Sequence, residues 1–297
     1  EPGDTIIIRD GDDIIGSGKY TLSTDFWKLY LADNQKESDA TETILPIIFN
    51  NAIGLKGIPW LNITLHYNQK FGSFTSMWNG CCTTPTFLAT WDTTDPRYQD
   101  NRLKSQIGFN LGILVGQQYS ANGSELLTRS GSKLIFTPEF SVQNSTEAQG
   151  ARVVKYAPDP TSTYGSNSEN DYQYYRLADV YLMIAEAFVR GGSGTTATEV
   201  VGYINQIQER AYGDDSNNKN ASQINLSFIL DERARELYWE GHRRTDLIRY
   251  GVFTTNGYLW QWKGGVKEGT AVNSRYNIYP IPTTELTANP NLYNENY

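Results

Sequence analysis

Cysteine and histidine are scarce in this chain of 297 residues, with two of each. The cysteines are the neighbours Cys81 and Cys82, which offer neither a disulfide framework nor a metal-binding spacing. A disulfide between adjacent residues is strained, so two free thiols are expected. His66 and His242 lie far apart, outside any i,i+4 ligand pattern. No Gly-rich phosphate loop follows a strand-like run, and no Ser nucleophile elbow is present. No apolar run approaches the ~18 residues a membrane-spanning helix needs. No signal peptide or lipid-accepting cysteine stands near Glu1. Basic residues are outnumbered too, 25 Lys and Arg against 33 Asp and Glu, for a net charge of −8. That argues against a phosphate-backbone partner, which needs a basic stripe. No cofactor, no metal and no nucleic acid are therefore expected.

Aromatic rings are abundant: 20 Tyr, 11 Phe and 7 Trp. Tyr and Trp join an apolar face to a polar handle, which suits them to sugar stacking and to interfaces, although most rings in a large domain fill core. With 39% hydrophobic and 20% charged residues the chain reads as globular and long enough to bury a sizeable core.

The stretch that organises the chain is ILDERARELYWEGHRRTDLIRYG, ending at Gly251. Leu230, Ala234, Leu237 and Tyr238 recur three and four residues apart, which predicts a helix with one apolar stripe. Gly241 suits its C-terminus, and Asp246 to Tyr250 reads as a second short helix closed by Gly251. Glu232, Glu236, Glu240 and Asp246 are interleaved with Arg233, Arg235, Arg243, Arg244 and Arg249, so a structural salt-bridge network is expected ahead of an anion site. Upstream, Leu177, Val180, Tyr181, Ile184, Ala185 and Phe188 share a helical face. Val200, Val201, Ile204, Ile207 and Ala211 share another, with Gly213 as the stop. Two such helices form a tetratricopeptide-like pair that cannot bury both faces by itself.

The remainder is less regular. Ile6-Ile7-Ile8 and Ile14-Ile15 read as short strands or a linker, and Asp25 to Tyr30 as a short helix capped by Ser23 or Thr24. Pro46 makes 42–49 an edge or irregular extended piece. Residues 50–150 hold no sustained helical period, as functional loops do. Leu134–Phe136 and Arg152–Tyr156 are candidate strands, and 158–171 is a polar linker. From Asn277 the chain reads as an extended tail.

The run from Ile229 to Gly251 resembles the most recognisable motif of the SusD/RagB family, surface lipoproteins that partner TonB-dependent transporters in glycan uptake. Tyr175–Ala187 resembles that family's upstream helix. Tyr279-Pro280-Ile281-Pro282, Glu285-Leu286 and Asn289-Pro290-Asn291-Leu292 resemble its C-terminal signature. The resemblance implies a mainly α, tetratricopeptide-like helical scaffold with long irregular loops and a few short strands. It further implies that residues 1–22 are a linker or partial segment and that 23–297 are the family's C-terminal region. That region would be loop-rich over 50–170, helical over 172–251 and extended over 252–297. The N-terminal helical half and the lipid anchor would be absent from this chain.

The function implied is non-catalytic: capture of an oligosaccharide at the extracellular face of the outer membrane and delivery to a SusC-like transporter. A peptide ligand, or a structural transporter subunit without its own ligand, are the alternatives. Glycoside hydrolysis would need paired carboxylates. Asp92, Asp95, Asp231, Glu232 and Glu236 are available, but the last three lie among arginines that favour the charged form. The sugar platform is expected in loops that hold an indole among small residues: Trp60 after Gly57-Ile58-Pro59, and Trp78-Asn79-Gly80. Tyr67, Phe71 and Phe74 lie between and would extend it, with Asn79 bonding sugar hydroxyls. Trp27 and Trp239 are expected in core. Trp260 and Trp262 are left open between ligand and transporter.

Overall fold

A computed structural model describes residues 2–34, 40–55, 57, 59–163 and 168–294. Ile58 and residues 164–167 of the expected polar linker lie outside them. The chain divides into two compact units, 1–241 and 242–297. In chain order the first holds α1 (Pro2–Gly16), β1 (Thr43–Ile47), α2 (Trp60–Thr64), α3 (Pro85–Leu88), β2 (Gln99–Asp100), α4 (Lys104–Ile107), β3 (Leu111–Leu114), β4 (Gly116–Gln117), β5 (Ile135–Phe136), β6 (Arg152–Val154), β7 (Tyr172–Arg176), α5 (Leu177–Val189), α6 (Ala197–Tyr212) and α7 (Leu226–Glu236). The second holds α8 (Arg243–Arg249) and α9 (Thr283–Ala288).

Helix α5 is the hub of the first unit. Its apolar residues lie nearly all round, so α1, α6 and α7 all pack against it. The inward positions expected on α5 and α6 are buried, except that Phe188 and Val201 are half-buried. Helix α6 starts on a capping box in which Thr196 and Glu199 satisfy each other's backbone. It ends at Gly213 in the left-handed conformation, φ 82°.

Residues 2–16 correct the reading of short strands or linker. The isoleucine run favours strands locally, but Ile8, Gly11 and Ile15 follow a three-to-four spacing along one helical face, and Ile8 is fully buried. Gly11 lets the two helices close: a Cβ there would stand 2.7 Å from Ile184 Cδ1. A face that the paired helices cannot cover for themselves is thus covered by α1.

The loops carry a second core. Three short antiparallel ladders, β1–β7, β2–β3–β6 and β4–β5, hold it in place. Strand β1 pairs Leu45 with Tyr175 and Ile47 with Tyr172, and the register slips on either side of Leu45, beside Pro46, as an irregular edge strand allows. Phe26, Trp27, Tyr30, Leu61, Phe74, Leu111, Phe136 and Tyr238 belong to this core. Asp25 caps the 3₁₀ turn at Phe26–Tyr30, in the role expected of Ser23 or Thr24. Phe71 and Phe74 also correct an expectation. They stack at 5.0 Å inside the core and add nothing to a surface platform.

Two arginines, Arg97 and Arg176, are the largest fully buried side chains. Arg176 donates to Glu42 at 2.7 Å, to Glu236 at 2.5 Å and to Glu240 at 2.8 Å. Arg97 binds Asp95, Glu232 and Glu236 at 2.7–2.8 Å. Arg210 joins Glu42 and Glu236, and Arg233 ties α7 to Asp179 of α5 at 2.7 Å. The expected structural network is therefore present, and it draws Arg97, Arg176, Arg210 and Lys155 from outside the motif.

Lys155 Nζ donates to the carbonyls of Glu236 and Tyr238 and to Glu240 Oε1, and faces the rings of Phe26, Tyr30 and Tyr238 at 4.3–5.0 Å. Burial pulls its pKa down, against the pull of Glu240. Three acceptors and three ring faces call for the ammonium form. The helix ends at Glu236, five residues before Gly241, because Trp239 takes a left-handed conformation (φ 62°) that turns Glu240 back into this network.

The second unit closes α8 at Gly251 (φ 71°), as the motif predicts. The expected extended tail contains the short helix α9, which follows Pro282 and carries Glu285 in its first turn.

Candidate functional site

The loop 77–80 lies along the end of α2 and the residues after it. Trp78 N–H donates to Asn62 O at 2.6 Å, Gly80 N–H to Ile63 O at 2.6 Å and Asn79 N–H to Leu65 O at 3.0 Å. The backbone therefore brings together the two segments in which Trp60, Tyr67, Trp78 and Asn79 are expected. Behind them Gly57 sits against the backbone of Ser168, where a Cβ would come within 1.5 Å of the carbonyl oxygen. Only glycine fits there.

The four candidates have different surroundings. Trp78 is 50% exposed, and its ring is open to solvent. Tyr67 is half-buried, with the Arg129 guanidinium 4.0 Å over its ring and His66 edge-on at 5.3 Å. Trp60 is half-buried and meets Trp239 edge-to-face at 5.3 Å. It borders a crevice of about 10 Å³ with Phe49, Tyr156 and Tyr172, room for one water and no sugar ring. Among the described residues, none of these three rings stacks on another of them. Trp27 is buried in core as expected, whereas Trp239 is half-buried in a turn.

Asn79 is already engaged. Its Nδ2 donates to Glu147 O at 3.0 Å, and its Oδ1 accepts from Arg152 Nη2 at 2.7 Å. Its backbone is left-handed, φ 53°, a conformation asparagine tolerates. Asn79 thus holds Trp78 in position through its own bonds. Arg129 pairs with Glu147 at 2.7 Å, so Tyr67, Arg129, Glu147, Asn79 and Arg152 form one connected support. Sequence reasoning missed Arg129, Glu147 and Arg152, which lie some 50–85 residues along the chain and have no local signature. Burial holds His66 below the ordinary imidazole value, although Glu147 draws it up. Its Nδ1 accepts from Asn68 N–H at 3.1 Å, which leaves the proton on Nε2, 3.5 Å from Glu147.

Three of the five carboxylates considered for hydrolysis are committed to ion pairs. Asp95, Glu232 and Glu236 converge on Arg97 in the interior. Burial opposes ionisation of Glu236, but Arg210, Arg176 and Arg97 outweigh it and hold the carboxyl well below its usual range. Such groups are poor proton donors at neutral pH. Cys81 and Cys82 are both free, and burial raises both thiols. Among the described residues no cluster of His, Cys, Asp and Glu has metal-binding geometry, and no helix is long and apolar enough to cross a membrane.

The model of the SusD family matches residues 10–297. The chain belongs to the SusD family. That family consists of non-catalytic binding proteins. The starch-binding protein SusD of Bacteroides thetaiotaomicron is 42% identical over 136 residues, which cover 46% of this chain and 23% of that protein. A SusD-like protein of Formosa agariphila is 33% identical over 127 residues, 42% of this chain and 23% of the relative. Among solved structures, a SusD superfamily protein from Parabacteroides distasonis matches with a TM-score of 0.66 and 22% identity, over 98% of this chain and 56% of that one. Surface glycan-binding protein A from Bacteroides thetaiotaomicron, in complex with laminarihexaose, matches with a TM-score of 0.66 and 19% identity, over 99% of this chain and 60% of that one. These likenesses establish the mostly helical SusD fold with few short strands. The chain spans somewhat over half the length of these solved relatives, and its match to the curated ones covers about a quarter of theirs.

Proposed function

We propose that this SusD-family protein binds oligosaccharide at the extracellular face of the outer membrane and delivers it to a SusC-like TonB-dependent transporter, without breaking a bond. The observation that carries the reading is Trp78, an indole half open to solvent on a loop anchored by backbone bonds to α2 and by Asn79 to Arg152 and Glu147. A loop held in place before the ligand arrives presents its indole as a stacking face at reduced entropic cost. Tyr67 under Arg129 and Trp60 against Trp239 flank it on the neighbouring segment. Asn79 serves the sugar through the position it gives Trp78. Relatives of this fold include a starch-binding protein and a glycan-binding protein holding laminarihexaose, which supports a glucan as the first ligand to try.

A protein partner is supported by the apolar residues left open around the β1–β7 ladder. Leu45, Ile47, Ile48, Tyr174 and Tyr175 are each 43–60% exposed. Scattered apolar residues are normal on a surface, but a run of this kind marks interfaces.

The test is calorimetric titration of the intact protein with laminarihexaose, maltoheptaose and a short peptide library, beside Trp78→Ala and Trp60→Ala. We expect one glucan to bind, with affinity about five- to ten-fold weaker in Trp78→Ala, the loss of about 1–1.5 kcal/mol expected for a stacked ring. Peptide binding without glucan binding would replace the oligosaccharide reading with the peptide one.

A further inference from the structure

The second unit differs in charge from the rest of the chain. Residues 242–297 hold six Lys and Arg against four Asp and Glu, whereas the first 241 hold nineteen against twenty-nine. Within this unit lies a concavity of about 400 Å³, lined by Arg244, Phe253, Trp260, Lys263, Tyr276 and Tyr279 among others. That volume is within the range of small-molecule sites, ~300–1,000 Å³.

Its walls are aromatic and its charges are both positive. Phe253 and Trp260 stack at 5.7 Å with planes 27° apart. The Arg244 guanidinium sits 4.1 Å from the Tyr279 ring centre and 5.1 Å from that of Phe253, and Nη2 donates to Tyr276 O at 2.7 Å. That bond uses one of its five N–H donors. Lys263 is buried beneath, 4.6 Å over Trp260, and Nζ donates to the carbonyls of Val252, Thr255 and Tyr258. Among the described residues, neither cation has a carboxylate within ion-pair distance. Elsewhere the buried cations Arg97, Arg176 and Lys155 have acidic partners, while buried Arg152 is met by Asn79 and backbone carbonyls. Two positive charges in an apolar hollow, with no counter-charge among the described residues, leave a field that a bound anion would neutralise.

We propose that this concavity binds a sugar residue bearing a negative charge, a uronate or a sulfate ester. Its ring would lie against the aromatic wall and its anionic group would meet Arg244. The inference rests on the glycan-binding reading, and extends it to a second, charge-selective position distinct from Trp78. Ring and guanidinium act together: stacking holds the sugar's C–H face, and the charge-assisted bond selects the substituent.

The experiment is calorimetric titration of the intact protein with tetragalacturonate, a carrageenan tetrasaccharide (sulfate only) and neutral laminarihexaose. Each is run on the wild type, Arg244→Gln, Trp260→Ala and Trp78→Ala, with circular dichroism melts to confirm folding. We expect one charged probe to bind, at least about ten-fold more weakly in Arg244→Gln and Trp260→Ala, more weakly in 0.5 M NaCl, and unchanged in Trp78→Ala. Which charged probe binds assigns the anion. Binding of laminarihexaose alone would overturn this inference while the glycan reading stands. Charged-probe binding lost in Trp78→Ala but kept in Arg244→Gln would overturn it as well, by placing the charge selection at the other site. Charged binding at Arg244 with no neutral binding would sustain it and remove the Trp78 platform. No binding by any probe would overturn both.

Discussion

Arg176→Met removes the centre of the buried network while keeping a side chain of similar length. Arg176 makes five hydrogen bonds: two to Glu240, two to Glu236 and one to Glu42. Lys155 and Arg210 still face the stranded carboxylates, so the loss is less than total. Removing one member of a buried ion-pair cluster typically costs ~3–5 kcal/mol. At ~2–4 °C per kcal/mol for a chain of this size, the melting temperature of the first unit should fall by about 6–20 °C.

The acid limb is a second readout. Burial raises Glu240, but Arg176 and Lys155 outweigh it and hold the carboxyl down at about 2. A folded-state value below the ordinary 4.5 means that its stabilisation is complete above about pH 4.5 and is lost as the pH falls toward 2. A depression of that size corresponds to about 3 kcal/mol. Without Arg176 the carboxyl should protonate at higher pH, so acid unfolding should begin earlier in Arg176→Met. The assay is urea unfolding by far-ultraviolet circular dichroism at pH 7, 5 and 3. A loss below 1 kcal/mol at pH 7, with an unchanged acid midpoint, would refute the claim that this cluster orients α7 on the loop core.

Asn79 offers a cleaner separation of backbone from side chain. Asn79→Gly keeps the left-handed turn but loses the bonds to Arg152 and Glu147, and should cost about 1–2 kcal/mol. Asn79→Ala also strains the turn and should cost about 1 kcal/mol more by urea midpoint; equal losses in the two variants would show that the turn carries no strain. Gly57→Ala must push the Ser168 backbone aside by more than 1 Å. We expect a loss above about 2 kcal/mol in thermal unfolding and weaker glucan binding, and a variant as stable as the parent would contradict the close approach.

The helical half of the protein was legible because its signals are local. The apolar stripes of α5 and α6, Gly213 and Gly251 each lie within a turn or two of the feature they specify, and the motif around Glu236 is dense enough to mark the family. Residues 2–16 misled because a run of isoleucines favours strand until the packing on α5 selects the helix, which only the tertiary structure contains. The end of α7 moved for the same reason: Trp239 takes a left-handed turn so that Glu240 meets Arg176 and Lys155, 64 and 85 residues away along the chain.

The candidate site shows the boundary sharply. Composition and small neighbours pointed to Trp78 as an exposed ring, and it is one. That Phe71 and Phe74 are core, that Asn79 is engaged by Arg152, and that Tyr67 lies under Arg129 depend on long-range contacts without a periodic signature. By itself the sequence determined family, helical scaffold and the absence of metal-binding or nucleophile motifs, because periodicity and short-range spacing encode them. Tertiary structure decided which rings face solvent and which charges meet a carboxylate, because burial and pairing are properties of segments brought together from across the chain.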